Sequence, residues 1–172
     1  MKYKTLVVDP PWAYADKLGD GPRGAASHYD VAGVDEIMGI PIGTFAEDDA
    51  HLYLWATNAF LVEAHVLAKA WGFQMRTMLT WVKSNGFGLG HYYRNSTEHV
   101  LFCVRGTLPC ARKDVPTHFM APRGRHSEKP AAFYDMVQTM SPGPYLDVFA
   151  RKQRFNFDTW GNECYLPEGM TL

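Results

Sequence analysis

Long apolar runs are absent from this 172-residue chain, and none approaches the ~20 residues that a membrane-spanning helix requires. Before Asp9 the apolar run is only three residues long, too short for the core of a secretory signal. Cysteine is scarce: Cys103, Cys110 and Cys164 are odd in number and form no CxxC pair. That argues against a zinc site and for reduced thiols in a cytosol-like compartment. The histidines His51, His65, His91, His99 and His118 show no metal-ligand spacing. A GxGxxG fingerprint, an internal repeat, a low-complexity tract and a linker are all missing. These absences lead us to expect a single cytoplasmic domain without a metal. Its length suffices to bury a substantial core.

An excess of either charge is missing too. Net charge is −1, with 47% hydrophobic and 20% charged residues, an ordinary globular balance. The charges are unevenly spread, however. Residues 83–129 hold eight bases (Lys83, Arg94, Arg105, Arg112, Lys113, Arg123, Arg125, Lys129) against three acids, a local +5, while the remainder carries −6. Such a stretch suits a phosphate-binding face or, equally, a set of solvated loops.

What is present alternates between strand and helix patterns. Residues 4–8 read as a strand, followed by a Gly- and Pro-rich loop and a short helix near 34–39. "AHLYLWAT" at 50–57 is a nearly continuous apolar run, the mark of a strand buried on both faces. Residues 58–72 read as a helix with Asn58 as N-cap and Gly72 closing it. Further strands are expected at 73–83, 97–106 and 143–150, with a helix from Pro130 to Met140, loops at 84–96 and 107–129, and a short tail. This alternation argues for a mostly parallel α/β sheet. Ligands of such sheets bind beyond the carboxyl ends of the strands, where Asp9 and Asp147 both fall, so both are expected to face one crevice.

The stretch "LVVDPPWAY" at 6–14 is the most informative. Three β-formers run into Asp9, and Pro10 and Pro11 then make a stiff, non-helical exit closed by Trp12. That fixes Asp9 relative to Trp12 and leaves the Pro10 carbonyl free to accept a hydrogen bond, an arrangement suited to a flat, polar ligand.

"DPPW" resembles the catalytic tetrad of amino-group methyltransferases. "HYDVAGVDEIMGIPI", "LYLWATNAFL", "WGF" leading to "TWVKSN", "TEHVLFCVRG", "HSEKP", "LDVFAR" and "WGNE" follow in order. Together they resemble the MT-A70 family, S-adenosylmethionine-dependent N6-adenine methyltransferases acting on DNA or RNA, across residues 4–163. The resemblance implies a Rossmann-like methyltransferase fold in permuted order, with the catalytic DPPW strand first and the cofactor strand near the C-terminus. There "FAR" would stand in place of the glycine-rich turn. It implies catalysis by Asp9, Pro10, Pro11 and Trp12, and cofactor contacts from Asp9, Lys129, Arg151, Asn162 and Glu163. Tyr29 matches an aromatic that meets the target base, and Tyr14, Lys83 and Asn85 are further substrate-binding candidates. Arg154 lies nearby without an assigned role. The short chain resembles a minimal, compact prokaryotic or phage-type catalytic core, whose loops at 13–33, 84–96 and 105–128 would carry selectivity.

The chemistry fits the residues. Adenine's exocyclic amine is a poor nucleophile because its lone pair is delocalised into the ring. Acceptors on both amino protons, the Asp9 carboxylate and the Pro10 carbonyl, would localise that pair. Lys129 stands before a helix start, where ammonium and helix dipole both attract an anion. DNA is the favoured substrate. The alternatives are an RNA adenine methyltransferase and a non-catalytic nucleic-acid-binding partner of an active enzyme, and a homodimer or heteromeric partner is conceivable in each case.

Overall fold

The computed structural model describes residues 1–12, 34–88, 92–124 and 128–161. In chain order these form β1 (Tyr3–Val8), α1 (Val34–Gly39), β2 (Ala46–Ala56), α2 (Leu61–Ala70), β3 (Gln74–Lys83) and β4 (Thr97–Arg105). Then come β5 (His118–Ala121), α3 (Ala131–Met140), β6 (Tyr145–Val148) and β7 (Phe157–Trp160), with 3₁₀ turns at Ile42–Thr44 and Asn58–Phe60. The strands make one sheet in the order β5-β3-β4-β2-β1-β6-β7. β1 is parallel to β2 and β6, β6 to β7, and β3 to β5. β4 is antiparallel to β2 and β3. Every described strand but β4 therefore points the same way, as the expected mostly parallel sheet requires.

Period-two alternation sorts the strand side chains into two cores. Leu6, Val8, Leu52, Leu54, Leu101, Cys103, Leu146 and Val148 face α1 and α2, where they meet Ile37, Ala64, Leu67 and Ala68. Val7, Tyr53, Trp55, Trp81, Val100 and Phe102 face the other way, against Phe133, Tyr134 and Val137 of α3. With helices on both faces, the central strands are apolar on both sides, which is why β2 reads as a continuous run.

Four local expectations change. The loop at 107–129 contains β5, an edge strand whose four residues bury only Ala121 and so leave little pattern to read. The tail contains β7, equally short, with Phe157 and Thr159 turned inward. β2 begins at Ala46, because its first residues include the acidic Glu47, Asp48 and Asp49 rather than the apolar run. Asn58 is not a cap: Thr57 precedes the 3₁₀ turn and makes no side-chain cap bond. The Asn58 side chain instead accepts from His99 Nε2 at 2.7 Å and donates to Asn95 Oδ1 at 3.3 Å. Gly72 does close α2, with a φ of 83° that a β-carbon would strain.

A buried polar chain pins the α3 side of the sheet. Leu108's carbonyl can only accept, so His51 donates from Nε2 to it at 2.9 Å. His51 Nδ1 then accepts from Ser141 Oγ at 2.7 Å, and Ser141 Oγ accepts from the Tyr53 hydroxyl at 2.7 Å. Burial holds the His51 imidazole below its ordinary 6.5, with the Leu108 bond acting the other way. A lowered folded value means that the unfolded chain binds more protons. The stability contributed by neutral His51 is thus complete above 6.5 and lost as pH falls through the folded value. Melting temperature is therefore expected to drop on acidification below about pH 6.5, and less steeply in His51→Gln. Parallel slopes for the two proteins in thermal melts would remove His51 from this role.

Candidate active site

The same alternation delivers charged side chains to one sheet edge. Val7 faces α3, so Asp9, two residues on, turns to that side just past the end of β1. Asp147 of β6 and Lys83 at the end of β3 follow the same parity. β4 runs backward, so its beginning, not its end, reaches this edge, and Glu98 arrives there. The Lys129 ammonium sits among them, 3.1 Å from Asp9 Oδ1 and 3.1 Å from Glu98 Oε2, and 4.8 Å above the Trp55 ring. Glu98 Oε1 also meets Lys83 Nζ at 2.6 Å. Arg154, to which the sequence assigned no role, lies 3.7 Å from Asp147 Oδ2, stacks 3.6 Å over the Tyr134 ring and donates to the Lys129 carbonyl at 3.3 Å.

Burial and pairing compete within this cluster. Burial pushes the Asp9 carboxyl above its ordinary range, and Lys129 opposes it. Burial acts likewise on Glu98, but Lys129 and Lys83 together hold it below the ordinary value. Burial penalises the Lys129 ammonium, yet Asp9 and Glu98 more than restore it, so it stays charged. Asp147, 2% exposed, is pushed by burial to about 7 against a hydrogen bond from Tyr134 and the Arg154 charge. The Asp9 charge adds to the rise.

Asp9 and Asp147 do face one crevice, lined also by Lys129, Tyr134, Phe149 and Arg151. A groove of about 330 Å³ opens on the other side of Lys129, between the end of β5 and the start of α3. The tetrad itself divides. Trp12 is 6% exposed in the opposite core, stacked on Phe60 at 5.0 Å, and donates to the Trp55 carbonyl at 3.2 Å. The Pro10 carbonyl is not free as expected: it accepts the Trp12 N–H at 2.8 Å, leaving one lone pair.

Lys83 is turned inward to Glu98. Asn85 donates to the Arg123 carbonyl at 3.1 Å and accepts the Arg123 N–H at 2.7 Å, stapling two loops together. Tyr14, Tyr29, Asn162 and Glu163 lie outside the described residues. Glu98 and Trp55 escaped sequence reasoning as site residues, because each sits inside an apolar strand run with no spacing signal.

The basic stretch also thins on inspection. Lys83 and Lys129 belong to the buried cluster. Arg105 is consumed by the carbonyls of Gly43, Trp71 and Gly72, and Arg112 is paired with Asp114 at 2.5 Å.

With this geometry in view, the comparisons are decisive. The MT-A70 family profile matches residues 3–163. The chain belongs to the MT-A70 family. It is 29% identical to the type II methyltransferase M.MunI of Mycoplasma sp, over 94% of this chain and 78% of that protein. It is 26% identical to the human N(6)-adenosine-methyltransferase catalytic subunit METTL3. It is 25% identical to a Drosophila melanogaster N(6)-adenosine-methyltransferase MT-A70-like protein. Both matches cover 94% of this chain but only 28% and 27% of those proteins, so the chain spans little more than a quarter of their length. The resemblance carried by the ordered blocks is thereby borne out.

In this MT-A70 chain Asp147 reports on its neighbours. Its folded value lies above the ordinary carboxylate value, so it contributes stability that is present at acid pH and lost as pH rises toward about 7. Arg154→Gln removes a cation and is expected to move the Asp147 midpoint upward, while Arg154→Lys preserves most of the effect. Carboxyl-carbon NMR titration measures it, and an unmoved midpoint in Arg154→Gln would show that the 3.7 Å contact is electrostatically idle.

Proposed function

We propose that this chain transfers a methyl group from S-adenosylmethionine to the exocyclic amine of adenine in nucleic acid, giving N6-methyladenine. The supporting observation is Asp9, held by Lys129 at the carboxyl end of a central strand beside a crevice of alternating charge. Members of the MT-A70 family use S-adenosylmethionine, which supplies an electrophilic methyl group on a sulfonium. The donor set fits that group: Lys129 for a carboxylate, Asp9 and Asp147 for an ammonium or hydroxyls, and Arg151 at the rim. Asn162 and Glu163 follow Gly161 in the sequence, just after β7, and are proposed to complete the site. Gly161 packs so close to Ala150 that a β-carbon would sit 2.3 Å from its carbonyl oxygen, so no larger residue fits where the two strand ends meet. β1 and β6 are neighbours in the sheet although they lie far apart in sequence. This supports the permuted order, with β1 catalytic and β6 carrying the cofactor contacts.

The chain's own residues then act by position. The Asp9 carboxylate and the remaining lone pair of the Pro10 carbonyl accept the two amino protons. The nitrogen lone pair is thereby localised and aimed. Lys129, Asp9, Asp147 and Arg151 would hold the methyl donor facing that lone pair. The donor would supply the methyl carbon for the new nitrogen–carbon bond and leave as a thioether with the carbon–sulfur electron pair. The proton leaves the cationic nitrogen afterwards, so no strong base is needed. Tyr29 and Tyr14 are proposed to hold the extruded base by stacking. DNA is favoured over RNA, because the relative matched along most of both chains is a type II methyltransferase.

Mass spectrometry of digested DNA and RNA after incubation with cofactor tests the reaction, and absence of N6-methyladenine from both would end the proposal. Asp9→Ala is expected to abolish turnover with the fold retained; a near-normal rate would exclude the amine hydrogen bond. Lys129→Ala is expected to weaken cofactor binding roughly tenfold to a hundredfold. It should also cost about 3–5 kcal/mol of stability, because two carboxylates lose their shared cation. Calorimetry well below its melting point reads the first effect, and unchanged affinity would remove Lys129 from the cofactor site.

A further inference from the structure

Phe87, Tyr92 and Tyr93 are 68%, 96% and 89% exposed, on the one connection between β3 and β4. Single exposed rings are ordinary, but three on one short connection mark an interaction surface. The connection is anchored: Gly88 N–H donates to the Asn95 carbonyl at 2.6 Å, and Asn95 is tied through Asn58 to His99. Asn85 clamps the Arg123 backbone, and a β-carbon on Gly86 would lie 3.5 Å from the Arg123 guanidinium. Arg123, with Ala121, Pro122 and Gly124, also lines the groove of about 330 Å³ that ends on Lys129. A continuous path thus leads from the Asp9–Lys129 pair past Arg123 to the exposed rings.

Its chemistry is predominantly basic. Residues 84–97 and 115–124 contain no acid, while Arg94 and Arg123 are exposed cations. Glu128 also lines the groove, but it is paired with Lys152 at 3.4 Å. Neither arginine belongs to the internal pairs that consume Lys83, Arg105, Arg112 and Lys129. β3 lies three places from β1 in the sheet, roughly 14 Å at ~4.8 Å per strand. That separation matches about four stacked nucleotides at ~3.4 Å each, the distance at which neighbours of a target base lie.

We propose that Phe87, Tyr92, Tyr93, Arg94 and Arg123 form the track for an unpaired nucleic-acid strand flanking the target adenine, an inference that rests on the methyltransferase reading for its target. Bases stack on the rings, which tolerate any sequence, and phosphates meet the two guanidinium groups. A second copy of this chain would set arginines against arginines, so the surface favours a polyanion. The track selects single-stranded or locally opened substrate over perfect duplex.

Binding without turnover tests this with single-stranded oligodeoxynucleotides carrying 2-aminopurine about four nucleotides from the target adenine, read by anisotropy and by fluorescence quenching. Tyr92→Ser/Tyr93→Ser is expected to weaken binding roughly tenfold or more and to relieve quenching, with the salt slope kept. Arg94→Gln/Arg123→Gln is expected to lower the slope of log affinity against log salt by about 1.4, at ~0.7 per phosphate contact. Cofactor affinity should stay at the parent value in both, which certifies the fold. Parent-like binding, quenching and salt slope in the variants would overturn the track. So would a change confined to self-association in light scattering, since it would assign the rings to a second copy. Because no step requires methyl transfer, these effects in a protein that never methylates would support the track and count only against the reaction.

Discussion

The Lys129 ammonium between Asp9 and Glu98 is the constraint on which the site depends. A cation taken out of water needs full compensation, and one carboxylate at 3.1 Å does not exhaust its donors. Glu98 takes the second position and is itself doubly engaged, by Lys129 and Lys83. With Arg154 and Asp147 the group holds three basic side chains and three carboxyl groups. Its members come from the ends of β1, β3 and β6, the start of β4, the segment before α3 and the crossover after β6. Moving any one of these elements uncovers a charge, so the packing of the sheet edge and the electrostatics of the site are a single condition.

That condition explains the one reversed strand among those described. An edge made only of carboxyl ends would offer residues that leave the sheet, each followed at once by a loop. β4 instead brings in Glu98 from within a strand whose next residues pair on both sides with β2 and β3. The carboxylate that braces Lys129 is therefore among the most firmly placed groups at the edge. Asp9 sits where the chain departs, and its partner is fixed by an element that does not.

The order of the longer elements and the mostly parallel sheet were legible because buried strands and amphipathic helices carry their period in the sequence. β5 and β7 were not: four-residue edge strands bury too little to show a pattern, and their pairing is set by neighbours distant in sequence. Asp9 and Asp147 were legible as facing one crevice because strand ends gather at one edge, whereas Lys129 was joined to Asp9 only by the family resemblance. Glu98 was hidden, since a glutamate at the start of an apolar strand looks like a solvated entry residue until the strand direction is known. Part of the basic stretch is spent inside the fold, and that was hidden for a related reason. Charge counting sees formal charge but not whether a guanidinium already caps carbonyls, as Arg105 does.

The two prolines between Asp9 and Trp12 acquire a physical reason from this arrangement. Asp9 faces α3, while Trp12 enters the opposite core, so within three residues the chain must pass over the rim of the sheet. An ordinary backbone could do this in many ways, each aiming the carboxylate differently. Pro10 and Pro11 fix φ twice and remove two N–H groups that would otherwise need partners at the rim. The Trp12 N–H turns back to the Pro10 carbonyl, and its indole donates to the Trp55 carbonyl. Trp55 carries the Lys129 ammonium over its own ring on the other face. The aromatic end of the tetrad thus need not touch a ligand to matter. Anchored through Trp55 beneath the same ammonium that grips Asp9, it sets where the carboxylate stands, so disturbing the α1–α2 core around Trp12 reaches Asp9 through the backbone.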